Sequence, residues 1–327
     1  MTPDQLAVPA FAADRLPPVI AIVGSTATGK SALSLTLAQA YGGEVLNADS
    51  MQLYRGMDIG TGKLTQVDRL GVPHHLLDVL GVHQPATVAW YRDLARPLVA
   101  SLRAQGVVPI VVGGSGLYLS GLLDNMDIPA TDAAVRARWD AELTLRGSGE
   151  LHAELARRDP AAAAAILASN GRRIVRALEV VELTGSFSAT LPTQRRAAVP
   201  TVWIGLRHPR ELLNQLIEVR VAHMLAAGWL AEVARLLDCG LLGSPTAGRA
   251  IGYSILVDLL GTGWDPAAPV PVEVSARIVA ATRRYGRRQE SWFGRDPRIH
   301  WLDAGNPELV QLIDDLLTSG AAQSGTQ

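Results

Sequence analysis

A chain of 327 residues that is 48% hydrophobic can bury about two domains, or one large core carrying an inserted lobe. Thirty Lys and Arg against 31 Asp and Glu leave a formal net charge of −1, so total charge argues neither for nor against nucleic acid, and only its distribution can. A single cysteine, Cys239, excludes an internal disulfide framework and a Cys-based zinc cluster; it suits a reducing cytoplasm and reads as a small buried hydrophobe near a helix end.

Residues 1–18 carry Pro3, Pro9, Pro17 and Pro18 with no basic n-region, and read as a flexible leader rather than a signal peptide. No apolar run reaches roughly 18 residues, so no membrane span is expected and the protein reads as cytoplasmic. The apolar, β-branched run Val19-Ile-Ala-Ile-Val-Gly24 is followed by Ser25-Thr26-Ala27-Thr28-Gly29-Lys30-Ser31 and an amphipathic segment to Tyr41: strand, glycine loop, helix. The loop fits G-x-x-x-x-G-K-[ST], whose chemistry is phosphate binding. Backbone N–H groups from Gly24 to Ser31 would form an anion nest, and the helix start would add the positive end of its dipole. Lys30 would reach the terminal phosphate oxygens, and the Ser31 hydroxyl would ligate a Mg²⁺ that bridges them. Such a loop specifies a diphosphate or triphosphate without saying whose.

Gly43 to Ser50 reads as a second strand ending in polar residues, which puts Asp49 and Ser50 beside the phosphate loop. Met51 to Lys63 is a glycine-punctuated loop. His74 and His75 are adjacent, with no third ligand at helical spacing, and suit a substrate loop or packing better than a metal. Thr87 to Gln105 has helical spacing. Val107 to Val112 is a continuous apolar run, the pattern of a strand buried on both faces, and ends in the second glycine loop Gly113-Gly-Ser115-Gly-Leu-Tyr118. The fold class is therefore α/β, a doubly wound parallel sheet of the P-loop NTPase type.

From Asp124 the pattern becomes helical and stays so to about Thr184, interrupted at Gly147-Ser-Gly149, Asp159-Pro160 and Asn170-Gly171. This is read as a small helical domain inserted at 125–199 between a first part of the core, 19–124, and a second, 200–303. Within the second part, Pro200 to Leu206 returns to the sheet and two amphipathic helices follow, the first carrying Arg220. A last strong helix from Val274 to about Trp292 holds Arg283, Arg284, Arg287 and Arg288 with few balancing acids, the electrostatic footprint of a phosphate backbone. Residues 304–327 are expected to be a tail.

These residues supply a Mg-diphosphate cradle, a carboxylate at Asp49 and a glycine-serine loop at Ser115. Two chemistries fit. A nucleoside or small-molecule kinase using ATP would have Asp49 deprotonate a hydroxyl attacking phosphorus. An alkyl transferase would have it take a proton from a nucleophile attacking carbon, the loop stabilising the departing diphosphate. Asp49 could also hold a Mg-bound water or cap a helix with no part in proton transfer, and an RNA-binding NTPase switch would use the same cradle as a timer.

The run Asp49-Ser-Met-Gln52-Leu-Tyr54-Arg-Gly-Met-Asp58-Ile-Gly60-Thr61-Gly-Lys63 closely resembles the hallmark of bacterial tRNA dimethylallyltransferases. The resemblance extends through both glycine loops, Arg173-Ile-Val-Arg176-Ala-Leu-Glu179, Arg220, Ala250-Ile-Gly-Tyr253 and Thr282-Arg-Arg-Tyr-Gly-Arg287-Arg288-Gln289, or about Val19 to Trp301. It implies transfer of a dimethylallyl group from dimethylallyl diphosphate to N6 of the adenosine just 3′ of the anticodon, by a monomer. Asp49 would be the general base, Ser31 a Mg²⁺ ligand and Lys30 a diphosphate ligand, with Ser115 and Arg220 holding the diphosphate from the side opposite the phosphate loop. Asp49, Ser50, Met51, Gln52, Ser115, Arg136, Arg172, Arg173 and Arg176 would contact the anticodon stem-loop, joined by the four arginines of the last helix. The chain departs from the family pattern at Ser25 and Thr28 of the phosphate loop, at Ser115 where Thr is usual, and at Ser254 where a basic residue is usual.

Overall fold

The computed structural model describes residues 16–188, 196–244 and 246–318. The chain divides into two compact units, Met1–Asn125 with Arg196–Gln327, and Met126–Arg195. The first unit opens with β1 (Val19–Gly24), α1 (Lys30–Tyr41), β2 (Gly43–Asn47), β3 (His74–His75), α2 (Val88–Ala104), β4 (Val108–Val112) and α3 (Gly116–Leu123). The second unit supplies α4 (Ala133–Arg158), α5 (Pro160–Ala164) and α6 (Gly171–Thr184). The first then resumes with β5 (Thr201–Arg207), α7 (Arg210–Ala226), α8 (Trp229–Asp238), α9 (Tyr253–Leu260), α10 (Val272–Phe293), β6 (Ile299–Asp303) and α11 (Leu309–Thr318). Among the described residues no helix is long and apolar enough to cross a membrane.

The six strands form one all-parallel sheet in the order β3-β2-β4-β1-β5-β6. β1 is central, with Ile20 opposite Ile110 of β4 on one side and Val202 of β5 on the other. Its side chains alternate between two dry faces. Val19, Ala21 and Val23 join Tyr91, Leu119, Ile217, Trp229, Tyr253, Ile278 and Phe293, drawn from α2, α3 and α7 to α10. Ile20 and Ile22 join Leu33 and Leu37 of α1 and Ile313 and Leu317 of α11. A strand dry on both faces must be apolar throughout, which is why β1 and β4 read as unbroken runs. The polar loops leave at the carboxyl ends of β1, β2 and β4, one edge of the sheet. Two glycines make that edge possible. A Cβ on Gly24 (φ +137°) would lie 2.4 Å from the Leu206 carbonyl oxygen, and one on Gly113 would lie 2.4 Å from the Ala48 carbonyl carbon.

Several expectations need correction. The stretch 304–327 is not all tail, because α11 buries Ile313 and Leu317 against α1 and Tyr41 donates its hydroxyl to Asp314 at 3.2 Å. Ile313 is one apolar side chain in a short helix, yet its full burial is worth about 1.5–3 kcal/mol. Most of the leader, residues 1–15, lies outside the described residues; Pro17 and Pro18 are buried, and the Pro17 carbonyl accepts from Arg103 Nε at 2.6 Å. Cys239 is exposed, since it caps α8 where the helix leaves the core. The insertion is narrower than 125–199, because Ala198 N–H bonds to Leu123 O and Ala197 bridges Asp124, tying 196–199 to the first unit.

The second unit has its own core of Trp139, Leu151, Leu155, Ile174 and Leu178. Asp132 caps α4 through the N–H groups of Ala134 and Val135, and α4 is interrupted at Gly147, whose φ of 77° and ψ of 167° are not helical. Glu179 is fully buried in this unit. It accepts from the Thr131 hydroxyl (2.7 Å), Asp132 N–H (3.0 Å), Arg136 Nε (2.7 Å) and Arg176 Nη1 (2.8 Å).

Candidate active site

The phosphate loop wraps a cavity of about 150 Å³ lined by Thr26 to Ala32, Asp49, Gln52, Thr61, Gly62, Val112 to Gly114, Arg220, Tyr285 and Gln289. The loop holds its shape through the Ser25 carbonyl, which accepts from Lys30 Nζ (2.5 Å) and Thr28 Oγ1 (2.9 Å). Ala27 and Gly29 sit in the left-handed region, at φ 65° and 86°, which turns successive N–H groups inward. Gly24 and Ser25 do not line the cavity. The buried Ser25 hydroxyl finds no hydrogen-bond partner among the described residues and packs towards Gly286 of α10, so these two residues support the loop from behind. Thr26 lines the cavity, but its N–H is committed to Gln289 Oε1 at 2.9 Å.

Burial, with Arg220 alongside and Asp49 opposing, brings the Lys30 ammonium down to about 7. Ser31 lies in the first turn of α1, and its hydroxyl has no hydrogen-bond partner among the described residues. No cluster of three His, Cys, Asp or Glu exists among the described residues, so a resident all-protein metal cage is absent there. The Ser31 hydroxyl would be the protein oxygen that holds a Mg²⁺, a cation that commonly takes few protein ligands.

Asp49 follows β2. Burial raises its pKa above the ordinary carboxylate value, and the Met51 N–H, Lys30 and Arg220 oppose that rise. Its Oδ1 accepts from Met51 N–H at 2.9 Å. Asn47 holds the backbone beneath it, Oδ1 accepting from Asp49 N–H (2.9 Å) and Nδ2 donating to Asp49 O (3.0 Å). Ser115 lines neither this cavity nor the one beside it. Its hydroxyl accepts from Ser50 N–H at 3.1 Å and donates to Ser50 Oγ at 3.2 Å, so the second glycine loop fixes the turn that follows Asp49.

Residues 58–63 pass over the cradle. Gln52 Nε2 (3.2 Å) and Arg220 Nη2 (3.4 Å) both donate to the Thr61 carbonyl. A Cβ on Gly62 would meet Arg220 Nη2 at 2.0 Å, so this loop lies directly on the guanidinium. The loop itself is held by Lys63, whose buried ammonium donates to Tyr54 O, Asp58 Oδ1 and Asp78 Oδ1 at 2.6–2.9 Å. The buried carboxylate of Glu232 holds its other end, accepting from the N–H groups of Asp58, Ile59 and Gly60.

A second cavity, of about 260 Å³, adjoins the cradle. Met51, Val221, Met224, Trp229, Ala250, Ile251 and Tyr253 give it an apolar lining, and Thr26, Asp49, Thr61, Arg220 and Tyr285 are common to both cavities. Asp49 and Arg220 thus stand at the junction of the glycine-loop cavity and an apolar one.

The arginines separate into two kinds. Arg136 and Arg176 are committed to Glu179, and Arg176 also donates to Pro129 O and Ala130 O. Arg136 thereby ties α4 to α6, and Arg176 ties α6 to the segment of Pro129 and Ala130. Arg172 and Arg173 stand exposed in the first turn of α6. On α10, Arg283 is paired with Glu218 of α7 at 2.5 Å and donates to Asn214 O. The acid missing from its own helix comes from a neighbour. Arg284, Arg287 and Arg288 are exposed and have no acidic partner among the described residues. Arg284 and Arg288 line an open cleft of about 440 Å³ with Arg249, Arg277 and Ser254, and Arg288 also reaches the apolar cavity.

Asn47, Lys63, Glu232, Tyr285 and Gln289 carry no assigned role in the sequence reading. The Thr282 to Gln289 match held a signal for the last two; the buried acid of α8 had none, since it sits on an amphipathic helix like any surface acid.

A family model described as IPP transferase matches residues 52–296. The chain is 53% identical over 293 residues to the tRNA dimethylallyltransferase of Frankia casuarinae, covering 90% of this chain and 98% of that one. Against the tRNA dimethylallyltransferase of Streptomyces coelicolor it is 53% identical over 298 residues, covering 90% and 93%. The crystal structure of the tRNA isopentenylpyrophosphate transferase of Bacillus halodurans superposes with a TM-score of 0.67 at 34% identity, covering 95% of this chain and 98% of that one. With a matched model spanning most of its length and relatives at this identity, the chain belongs to the IPP transferase family.

Proposed function

We propose that the protein transfers a dimethylallyl group from dimethylallyl diphosphate to N6 of the tRNA adenosine just 3′ of the anticodon. The carrying observation is the junction: Asp49 and Arg220 border both the phosphate cradle and the apolar cavity. A donor with an anionic head and a short apolar tail matches those two spaces, and its reacting carbon then lies at the carboxylate. Membership in the family, with relatives that are tRNA dimethylallyltransferases, supports the same reading.

The adenine must leave its stack to reach that carbon, at a cost of about a few kcal/mol that is smallest in a loop. Its N6 nitrogen attacks the allylic carbon, the carbon–oxygen bond breaks, and the electron pair leaves with diphosphate. Asp49 takes the N6 proton. A carboxylate raised by burial is a stronger base than one in water, and Lys30 and Arg220 favour its ionised form. The same two cations face the charge that grows on the departing diphosphate. Mg²⁺, held through Ser31, would add neutralisation of that charge. Arg284, Arg287 and Arg288 would meet RNA phosphates, and Ser50 to Gln52 the substrate nucleotides.

The test is mass spectrometry of tRNA incubated with the protein, Mg²⁺ and dimethylallyl diphosphate. Gain of one C5 unit on a single adenosine is the expected result. Transfer of phosphate from ATP to a nucleoside, with no C5 gain, would replace this reading with a kinase.

A further inference from the structure

Gln289 is buried on α10, beside the exposed Arg288, and its carboxamide spans two loops that are far apart in sequence. Oε1 accepts the N–H of Thr26 at 2.9 Å, and Nε2 donates to the carbonyl of Gly114 at 3.0 Å. A Cβ on Gly114 would lie 1.9 Å from Nε2 and would displace this carboxamide. One side chain therefore fixes the separation of the phosphate loop and the second glycine loop. It also removes one backbone donor from the set facing the cavity.

We infer that Gln289 is a positioning residue of the diphosphate cradle, setting the gap between its two walls from the arginine-bearing helix. The inference rests on the reading of that cradle as a diphosphate site. An acceptor and a donor on one planar carbon at this reach belong to Gln among neutral side chains, and also to Glu when it is protonated. Ionised Glu has the shape but no donor, and would turn a carboxylate oxygen towards the Gly114 carbonyl. Met has the length and neither group.

Inorganic pyrophosphate and dimethylallyl diphosphate are the probes, titrated calorimetrically into wild type, Q289E and Q289M from pH 5 to pH 8. Lys30, Asp49, Arg220 and Tyr285 line the same cavity and titrate or act in wild type too, so each variant is scored as its ratio to wild type at the same pH. At pH 8 both variants should bind about tenfold more weakly or worse, the cost of leaving buried partners unpaired and the walls misplaced. As the pH falls towards the pKa of the introduced carboxyl, which burial raises above about 4.3, Q289E should regain most of that loss. Q289M should not regain it at any pH. A contribution to stability alone would lower the unfolding temperature and leave the Q289E ratio flat with pH. Should Q289M fail to fold, the one Q289E sample at two pH values decides. Wild-type binding of neither probe would overturn the cradle reading and this inference with it. Wild-type binding with variant ratios within twofold at every pH would overturn the inference alone.

Discussion

Tyr253 donates its hydroxyl to the Glu232 carboxylate at 2.6 Å, and both side chains are fully buried. The same carboxylate accepts three backbone N–H groups, from Asp58 (2.9 Å), Ile59 (2.7 Å) and Gly60 (3.2 Å). Four donors on one acid anchor the loop that covers the cradle, with no basic side chain involved. Glu232→Gln keeps the shape but turns an NH₂ towards N–H and O–H donors. It should cost about 1–3 kcal/mol in chemical denaturation and raise the donor KM as the Thr61 segment loosens. Tyr253→Phe removes one donor of four and should cost about 1 kcal/mol. Equal stability of Glu232→Gln and wild type would remove the anchor from the account.

Asp49→Ala should slow single-turnover prenyl transfer by about 10²–10⁴, the usual worth of general-base assistance. Affinity for tRNA should stay within a few-fold. A near-wild-type rate at saturating substrates would take the proton-transfer role away from this carboxylate.

The pH profile follows from two shifts of opposite consequence. Burial and Arg220 bring the Lys30 ammonium to about 7, so in the free protein its charge is present below that pH and lost above it. A bound diphosphate favours the ammonium and raises its pKa in the complex. The value of kcat/KM for donor should therefore decline above about pH 7, while kcat at saturating donor holds. Asp49 is raised by burial, so the acid limb should lie above pH 3.8, with activity lost as pH falls and the carboxyl protonates. Parallel loss of kcat and kcat/KM on the alkaline side would contradict the Lys30 assignment.

The arginines of α10 should differ. Replacing Arg284 and Arg288 together should weaken tRNA binding and flatten its log–log salt slope by about one unit or more, at about 0.7 per phosphate for loop RNA. Arg283→Ala should leave the slope unchanged, because its charge is already balanced by Glu218. It should instead show in stability. Binding titrations at several salt concentrations distinguish the two, and identical slopes for all three proteins would make α10 a solvated face.

The parts of the fold that sequence exposes are those with a strong period or a fixed loop chemistry. β1, β4 and the phosphate loop are such elements, since a doubly buried strand has no polar option and the anion nest needs its glycines. β3 is two residues long, His74 and His75, too short to show any period, and it pairs only because β2 lies beside it. β6 hides Trp301 and His300 among polar neighbours on the sheet's outer edge, where one flank is open and alternation is not enforced. Site residues with their own chemistry, such as Lys30 and Asp49, were legible. Those acting through backbone groups of distant segments were not, and Glu232 and Gln289 are the clear cases. The ion pairs of Arg136 and Arg176 belong with them, since their partner Glu179 is visible in the motif but its burial is not.

The place of β1 in the sheet also sets the order in which the molecule can assemble. β1 pairs with β4 on one side, but on the other its Val19 pairs with Thr201, a residue made only after the whole Met126–Arg195 unit. At about 5–20 residues per second, the phosphate-loop strand waits roughly 10–40 s for that neighbour during synthesis. Until then one side of an entirely apolar strand has no partner, and such an edge invites pairing with other chains. The helical unit, with its own core, completes its sequence just before Thr201 and needs no strand of the sheet to fold. A released fragment ending before Thr201 would accordingly present a folded helical module joined to a half-built sheet, and the burden on chaperones would fall on the sheet.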